Sequence, residues 1–205
     1  MFNIKEKNKT KETKSQLAKA NRIAKGIRSS LAEIIENPKD KMMHARLSSA
    51  VLKWLDAPDP HEYSPELDKF SFTDSPLPFH AIWNMPIQVY DLFNGYTVVK
   101  IPKFTPIEEI KVPAGTYAIL FSVAVGVCDV LTGKTICSKD FITLFLFKNR
   151  EYEERIYKVK TPKTKGNLLV VGISMHFWKI KYDGKNSETV NIGRTSGMVA
   201  ARYRS

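Results

Sequence analysis

Phe141-Ile142-Thr143-Leu144-Phe145-Leu146-Phe147 and Leu168-Leu169-Val170-Val171-Gly172-Ile173 are short runs in which almost every residue is apolar and most are β-branched, aromatic or leucine. Runs of this length and composition read as strands, and a strand apolar on both faces needs cover on both. Both segments are therefore expected in the centre of a two-sheet antiparallel β-sandwich or barrel. The alternative is an open sheet whose exposed face is covered by helices.

Around these runs the hydrophobic period is two and the breakers are hairpin signals. Phe93-Asn94-Gly95-Tyr96 and Tyr182-Asp183-Gly184-Lys185 carry Asn-Gly and Asp-Gly turns, and Leu131-Thr132-Gly133-Lys134 is a weaker third. Seven or eight strands are expected, at about 86–93, 96–101, 116–127, 135–147 with a break, 154–159, 167–180, 186–192 and 197–203. Residues 69–205 thus form an antiparallel β domain.

Upstream the period changes to that of a helix. Leu17, Ala20, Ala24, Ile27, Leu31, Ile34 and Ile35 recur at three- and four-residue spacing, with Lys14, Lys19, Arg22 and Lys25 on the opposite half of the wheel and Arg28 at its border. Asn37-Pro38 ends this helix and opens the next, with Asn37 as N-cap, Pro38 at the first helical position and Asp40 facing the positive helix start. Met43, Leu47, Ala50, Val51, Trp54 and Leu55 form the second stripe, so residues 15–56 read as a two-helix amphipathic hairpin. A Pro-rich linker follows at 57–68. Residues 1–14 alternate Lys with Asn, Thr and Glu, offer almost nothing to bury and read as a disordered basic tail.

Charge follows this division. Of a formal net charge of +11, residues 1–28 hold +7 and residues 179–205 hold +4, while 57–178 are balanced. A positive arm on a neutral body points to an anionic partner. Its candidate contacts are Lys14, Lys19, Arg22, Lys25 and Arg28. A protein partner or a second copy of the chain is the leading expectation. Nucleic acid is the alternative, through salt-sensitive, sequence-independent phosphate contacts. A membrane surface is disfavoured, because the 17–35 stripe lacks Trp and Phe and the second helix is placed to cover it.

No motif requires a cofactor, a metal or a small molecule. Gly133-Lys134-Thr135 resembles the end of a phosphate-binding loop, but Cys128 stands where that loop needs glycine, and a strand follows instead of a helix. His44, His61, His80 and His176 are dispersed, and Glu151, Glu153 and Glu154 lie between Arg150 and Arg155 as a solvated loop. None is a catalytic candidate, and the function expected is non-enzymatic: structural or interaction protein. Cys128 and Cys137 flank one turn. A two-residue loop sets them opposite one another, roughly 4.5 Å apart between Cα atoms, whereas a bulge at Gly133 shifts the register and separates them; the bulge is favoured. Two cysteines and the absence of an apolar leader lead to a cytoplasmic expectation.

Several segments taken together, the basic first helix, Pro38-Lys39-Asp40-Lys41-Met42-Met43-His44-Ala45-Arg46-Leu47, the Ile110-Lys111-Val112-Pro113-Ala114-Gly115-Thr116 lead into a strand, and the ending from Leu168 through Phe177 and Asp183-Gly184 to Ala200, resemble a family of uncharacterised bacterial proteins common in the Bacteroidota. The resemblance covers most of residues 15–203, leaves out Ser64–Pro86 and implies helices followed by a β-sandwich-like domain. It implies no activity and no site residues.

Overall fold

The computed structural model describes residues 4–35, 40–57, 65–73, 79–182 and 186–204; side chains are described from Lys14 and, beyond the second helix, from Glu66. The chain begins with helix α1 (Ile4–Ser30), a 3-10 turn at Ala32–Ile34 and helix α2 (Lys41–Leu55). Short helices α3 (Pro65–Asp68) and α4 (Phe79–Ile82) lead to strands β1 (Gln88–Asp91) and β2 (Tyr96–Ile101), followed by α5 (Pro106–Glu109). Five strands complete the chain: β3 (Ala118–Asp129), β4 (Thr135–Leu146), β5 (Arg155–Lys160), β6 (Asn167–Tyr182) and β7 (Ser187–Arg204).

All pairings are antiparallel and form two sheets, β1-β2-β5 and β4-β3-β6-β7. The fold is mainly β and sandwich-like, with an N-terminal helical region. Val89, Val99, Ile101 and Val159 of the three-stranded sheet meet Phe121, Val123, Val125, Phe145 and Val171 of the other in one core. A second core lies on the opposite face of the larger sheet, where Ala20 and Ile27 of α1, Leu31 just after it, and Met43, Leu47 and Val51 of α2 cover Ala124, Cys128, Leu168, Val170 and Met198. The order is helices, four-stranded sheet, three-stranded sheet. This accounts for β3 and for Leu168–Ile173 of β6, which are buried on both faces.

Several local expectations are corrected. Phe141–Phe147 belongs to an edge strand: β4 pairs only with β3 among the described residues, and Ile142 and Leu144 are exposed. Its odd-numbered side chains, Phe141, Phe145 and Phe147, supply the core between the sheets, while its even-numbered ones lie on the helix side. The break expected within 135–147 is absent. The two strands expected at 186–192 and 197–203 are one, β7, bent at register shifts opposite Val171/Gly172 and Phe177/Trp178. A bulge lets a strand bend without ending, so the described residues form seven strands, the lower of the seven or eight expected.

The helices differ from expectation at their ends. α1 starts at Ile4, within the stretch read as a disordered tail, because a nucleated helix adds one hydrogen bond per further residue and Lys and Glu are good helix formers. Asp40, not Asn37, is the N-cap of α2: its Oδ1 accepts Met42 N–H at 2.8 Å and Met43 N–H at 3.2 Å. Asn37 and Pro38 lie outside the described residues. The stretch read as linker includes α3, whose Leu67 is fully buried in the helix-side core. Phe70 and Phe72 then pair with β7 through Met198 N–H to Phe70 O (2.8 Å) and Phe72 N–H to Ser196 O (2.9 Å).

Of the expected turns, Asn94-Gly95 joins β1 to β2 and closes with Leu92 N–H to Tyr96 O at 2.7 Å. Asp183-Gly184 lies outside the described residues. At the third turn Asp129 N–H reaches Lys134 O (2.9 Å), Gly133 has φ +67°, and the β3–β4 register shifts between Val127 and Cys128. Cys128 therefore faces Thr135, and Cys137 faces Val127. The favoured reading, separated cysteines, holds.

Candidate functional site

The basic residues of α1 owe their placement to how closely the helix sits on the β3–β4 hairpin. A Cβ on Gly126 would lie 2.5 Å from Ser30 Cβ, and one on Gly133 would lie 2.3 Å from the Arg22 carbonyl oxygen, so glycine is what lets the two backbones approach. The end of α1 is fastened there: Ser138 Oγ donates to Ser30 O at 2.9 Å, satisfying a carbonyl at the helix terminus, and Ser30 Oγ donates to Thr135 Oγ1 at 3.2 Å. Ala20, Ile23, Ala24 and Ile27 are fully buried beneath the helix. Ile23 belongs to this stripe, whereas Leu17 is 47 % exposed.

The five expected contact residues separate into two groups. Lys14, Arg22 and Lys25 are exposed and Lys19 is half-buried, arrayed along the helix away from its buried stripe. Arg28 is half-buried in a groove of about 580 Å³ between α1 and α2, shared with Leu17 and Asn21 of α1 and with His44, Ser48, Ser49 and Leu52 of α2. Burial holds the Arg28 guanidinium below its ordinary pKa. Among the described residues no carboxylate lines this groove. Periodicity alone places Arg28 with the other cations; the groove residues His44, Ser48 and Ser49 were not legible, although their spacing along α2 would have sufficed had the packing of the two helices been known.

A second cluster combines residues far apart in sequence. Asp68, Lys69, Phe79, His80, Trp83 and Met85 border a hollow of about 210 Å³ beside β7. Burial pushes the Asp68 carboxyl up to about 6, while its Oδ1 accepts Ala201 N–H at 2.5 Å. His80 Nε2 lies 3.0 Å from the Met198 carbonyl, which can only accept, so Nε2 carries the proton. Burial is also the main cause holding His80 below its usual pKa. No sequence signal joins Asp68 and His80 to β7. Both side chains are occupied by the backbone of that strand, which reads as fastening of the 65–82 region to the sheet.

The remaining candidates are placed as follows. His44 faces the groove; Nδ1 of His176, on β6, lies 3.3 Å from Asn191 Nδ2. Cys128 is buried in the helix-side core with its thiol pushed up to about 12 by burial, whereas Cys137 packs against the core on the other face of the sheet. A disulfide between them is excluded by that geometry. Among the described residues, no group of three His, Cys, Asp or Glu is arranged to hold a metal ion, and no helix is long and apolar enough to cross a membrane. No protein-family model matches the chain, and no curated protein matches it.

Proposed function

We propose that this is a non-enzymatic structural or interaction protein that assembles with itself or with an acidic partner through the outer face of α1. One observation carries the reading: Lys14, Lys19, Arg22 and Lys25, with Arg28 at the border of that face, follow one another with no acidic residue between them, on a helix fastened to a sheet by glycine contacts. A charged face on a fixed support meets a partner without first being ordered, which limits the entropy lost on association. A cytoplasmic location and membership of the bacterial family it resembles belong to the same proposal, supported respectively by the unpaired cysteines and by the helices-then-sheets order.

Sequence-independent nucleic-acid binding uses the same cations, and the experiment separates the two. Polyglutamate, short duplex DNA and single-stranded RNA are titrated across a salt series with the parent protein and the Lys19→Glu/Arg22→Glu/Lys25→Glu variant. Polyglutamate binding that salt weakens and the triple change abolishes is expected. Preference for DNA or RNA with a steep salt slope makes nucleic acid the partner. Binding of every probe unaffected by the triple change removes the basic face from the mechanism. For self-assembly, a mass in solution well above 23.3 kDa that persists at high salt is expected.

A further inference from the structure

The groove between α1 and α2 differs from the outer face in chemistry as well as in shape. Its lining carries a cation, Arg28, together with the imidazole His44, the amide Asn21 and the hydroxyls Ser48 and Ser49. Among the described residues its apolar side chains are Leu17, Ala45 and Leu52. Along α1, Leu17 and Arg28 are eleven residues apart, about 16 Å at the helical rise. An occupant therefore meets apolar surface and a cation separated by the length of four or five extended residues.

Arg28 is the informative member. Its guanidinium is removed far enough from water for burial to disfavour the charge, and no hydrogen bond or ion pair to it is found among the described residues. A carboxylate brought to it replaces the lost hydration with a charge-assisted hydrogen bond, bidentate if the guanidinium presents its edge. An exposed lysine such as Lys25 gains much less, because water already solvates it.

Resting on the reading of α1 as a surface for an acidic partner, we propose that this groove seats an extended partner segment alternating acidic and apolar residues, with one carboxylate on Arg28 and an apolar side chain against Leu17 and Leu52. Arg28 supplies selectivity for the anion; Asn21, Ser48 and Ser49 offer hydrogen bonds to the segment's backbone. The outer cations, Lys14 and Lys25 nearest the groove by helical spacing, speed encounter and are screened by salt.

The test uses the full chain and a fluorescent peptide alternating glutamate with leucine, beside the same peptide with glutamine for glutamate. Binding of the glutamate peptide is expected to fall at least tenfold in Arg28→Gln and in Ser49→Trp, which fills the groove without changing charge. The glutamine peptide is expected to bind the parent at least tenfold more weakly. Polyglutamate, lacking apolar side chains, should be unaffected by Ser49→Trp. Near-ultraviolet circular dichroism of both variants, matching the parent, establishes that the fold is retained.

If the glutamate peptide binds and neither variant weakens it while Lys19→Glu/Arg22→Glu/Lys25→Glu does, the groove assignment is wrong and the basic-face reading stands. If no anionic probe binds the parent at low salt, both fail. If the parent alone self-associates and Ser49→Trp makes it monomeric, the occupant is a second copy, which overturns a separate partner segment. Duplex DNA lost on Ser49→Trp with the peptide retained overturns the proposal in favour of phosphate.

Discussion

Asp68 illustrates how far the surroundings of one side chain reset its chemistry. In solution a carboxyl of this type releases its proton near ~4; in the folded chain burial pushes it up to about 6, against the opposing pull of the Ala201 N–H and the Arg202 charge. Between those values the folded state holds more protons than the unfolded, so this group's contribution makes stability fall as pH rises from about 4 to about 6 and level off above. Asp68→Asn keeps an acceptor for Ala201 N–H and cannot ionise. Its urea midpoint relative to the parent should therefore rise across that window and stay constant beyond it. A midpoint difference that does not change with pH refutes the assignment. Nothing in the local sequence Pro65-Glu66-Leu67-Asp68 foretells this, since Asp68 is held against Ala201 of β7, more than a hundred residues away.

At the scale of elements, the seat of α1 on the β3–β4 hairpin joins two requirements at one residue. Gly133 has φ +67° in its turn, and its Cα faces the Arg22 carbonyl so closely that a Cβ would lie 2.3 Å away. Gly166 has φ +87° and open space around it. Gly166→Ala should lose about 1 kcal/mol, the cost of a left-handed backbone for an L-residue. Gly133→Ala adds a clash that moves helix or turn, and should lose about 3 kcal/mol. Equal losses by chemical denaturation indicate that the helix is not seated on the turn. The Leu131-Thr132-Gly133-Lys134 signal was readable as a hairpin turn. The helix resting on it was not, because hairpin chemistry specifies a local backbone and carries no information about what packs above it.

Over the whole molecule, the two sheets are tied together away from their apolar core. Arg204 Nη2, near the end of β7, donates to both carboxylate oxygens of Asp91 at 3.1 Å, to Thr97 Oγ1 at 3.1 Å and to Thr161 Oγ1 at 3.0 Å. Nη1 reaches the Pro162 carbonyl, and Thr97 Oγ1 donates to Asp91 Oδ1 at 2.6 Å. The Arg204 side chain is only 10 % exposed. Arg204→Met removes the cation and the donor that these groups share, leaving Asp91 with Thr97 alone among the described residues, and should cost about 2–3 kcal/mol. Lys103→Met removes an exposed pair with Glu151, 3.4 Å apart, and should cost less than about 0.5 kcal/mol. Similar midpoints for the two variants show that the network does not join the sheets. The amino-acid sequence by itself determined the helical stripes, most strands, the Asn94-Gly95 turn and the concentration of positive charge in α1, because propensity, periodicity and turn chemistry act over a few residues. Tertiary structure alone decided that Phe141–Phe147 lies at a sheet edge, that the helices cover the face opposite the second sheet, and that Arg28 leaves the row of cations for a groove with Ser48 and Ser49. Those outcomes depend on which surfaces meet, and burial is set by neighbours from distant parts of the chain.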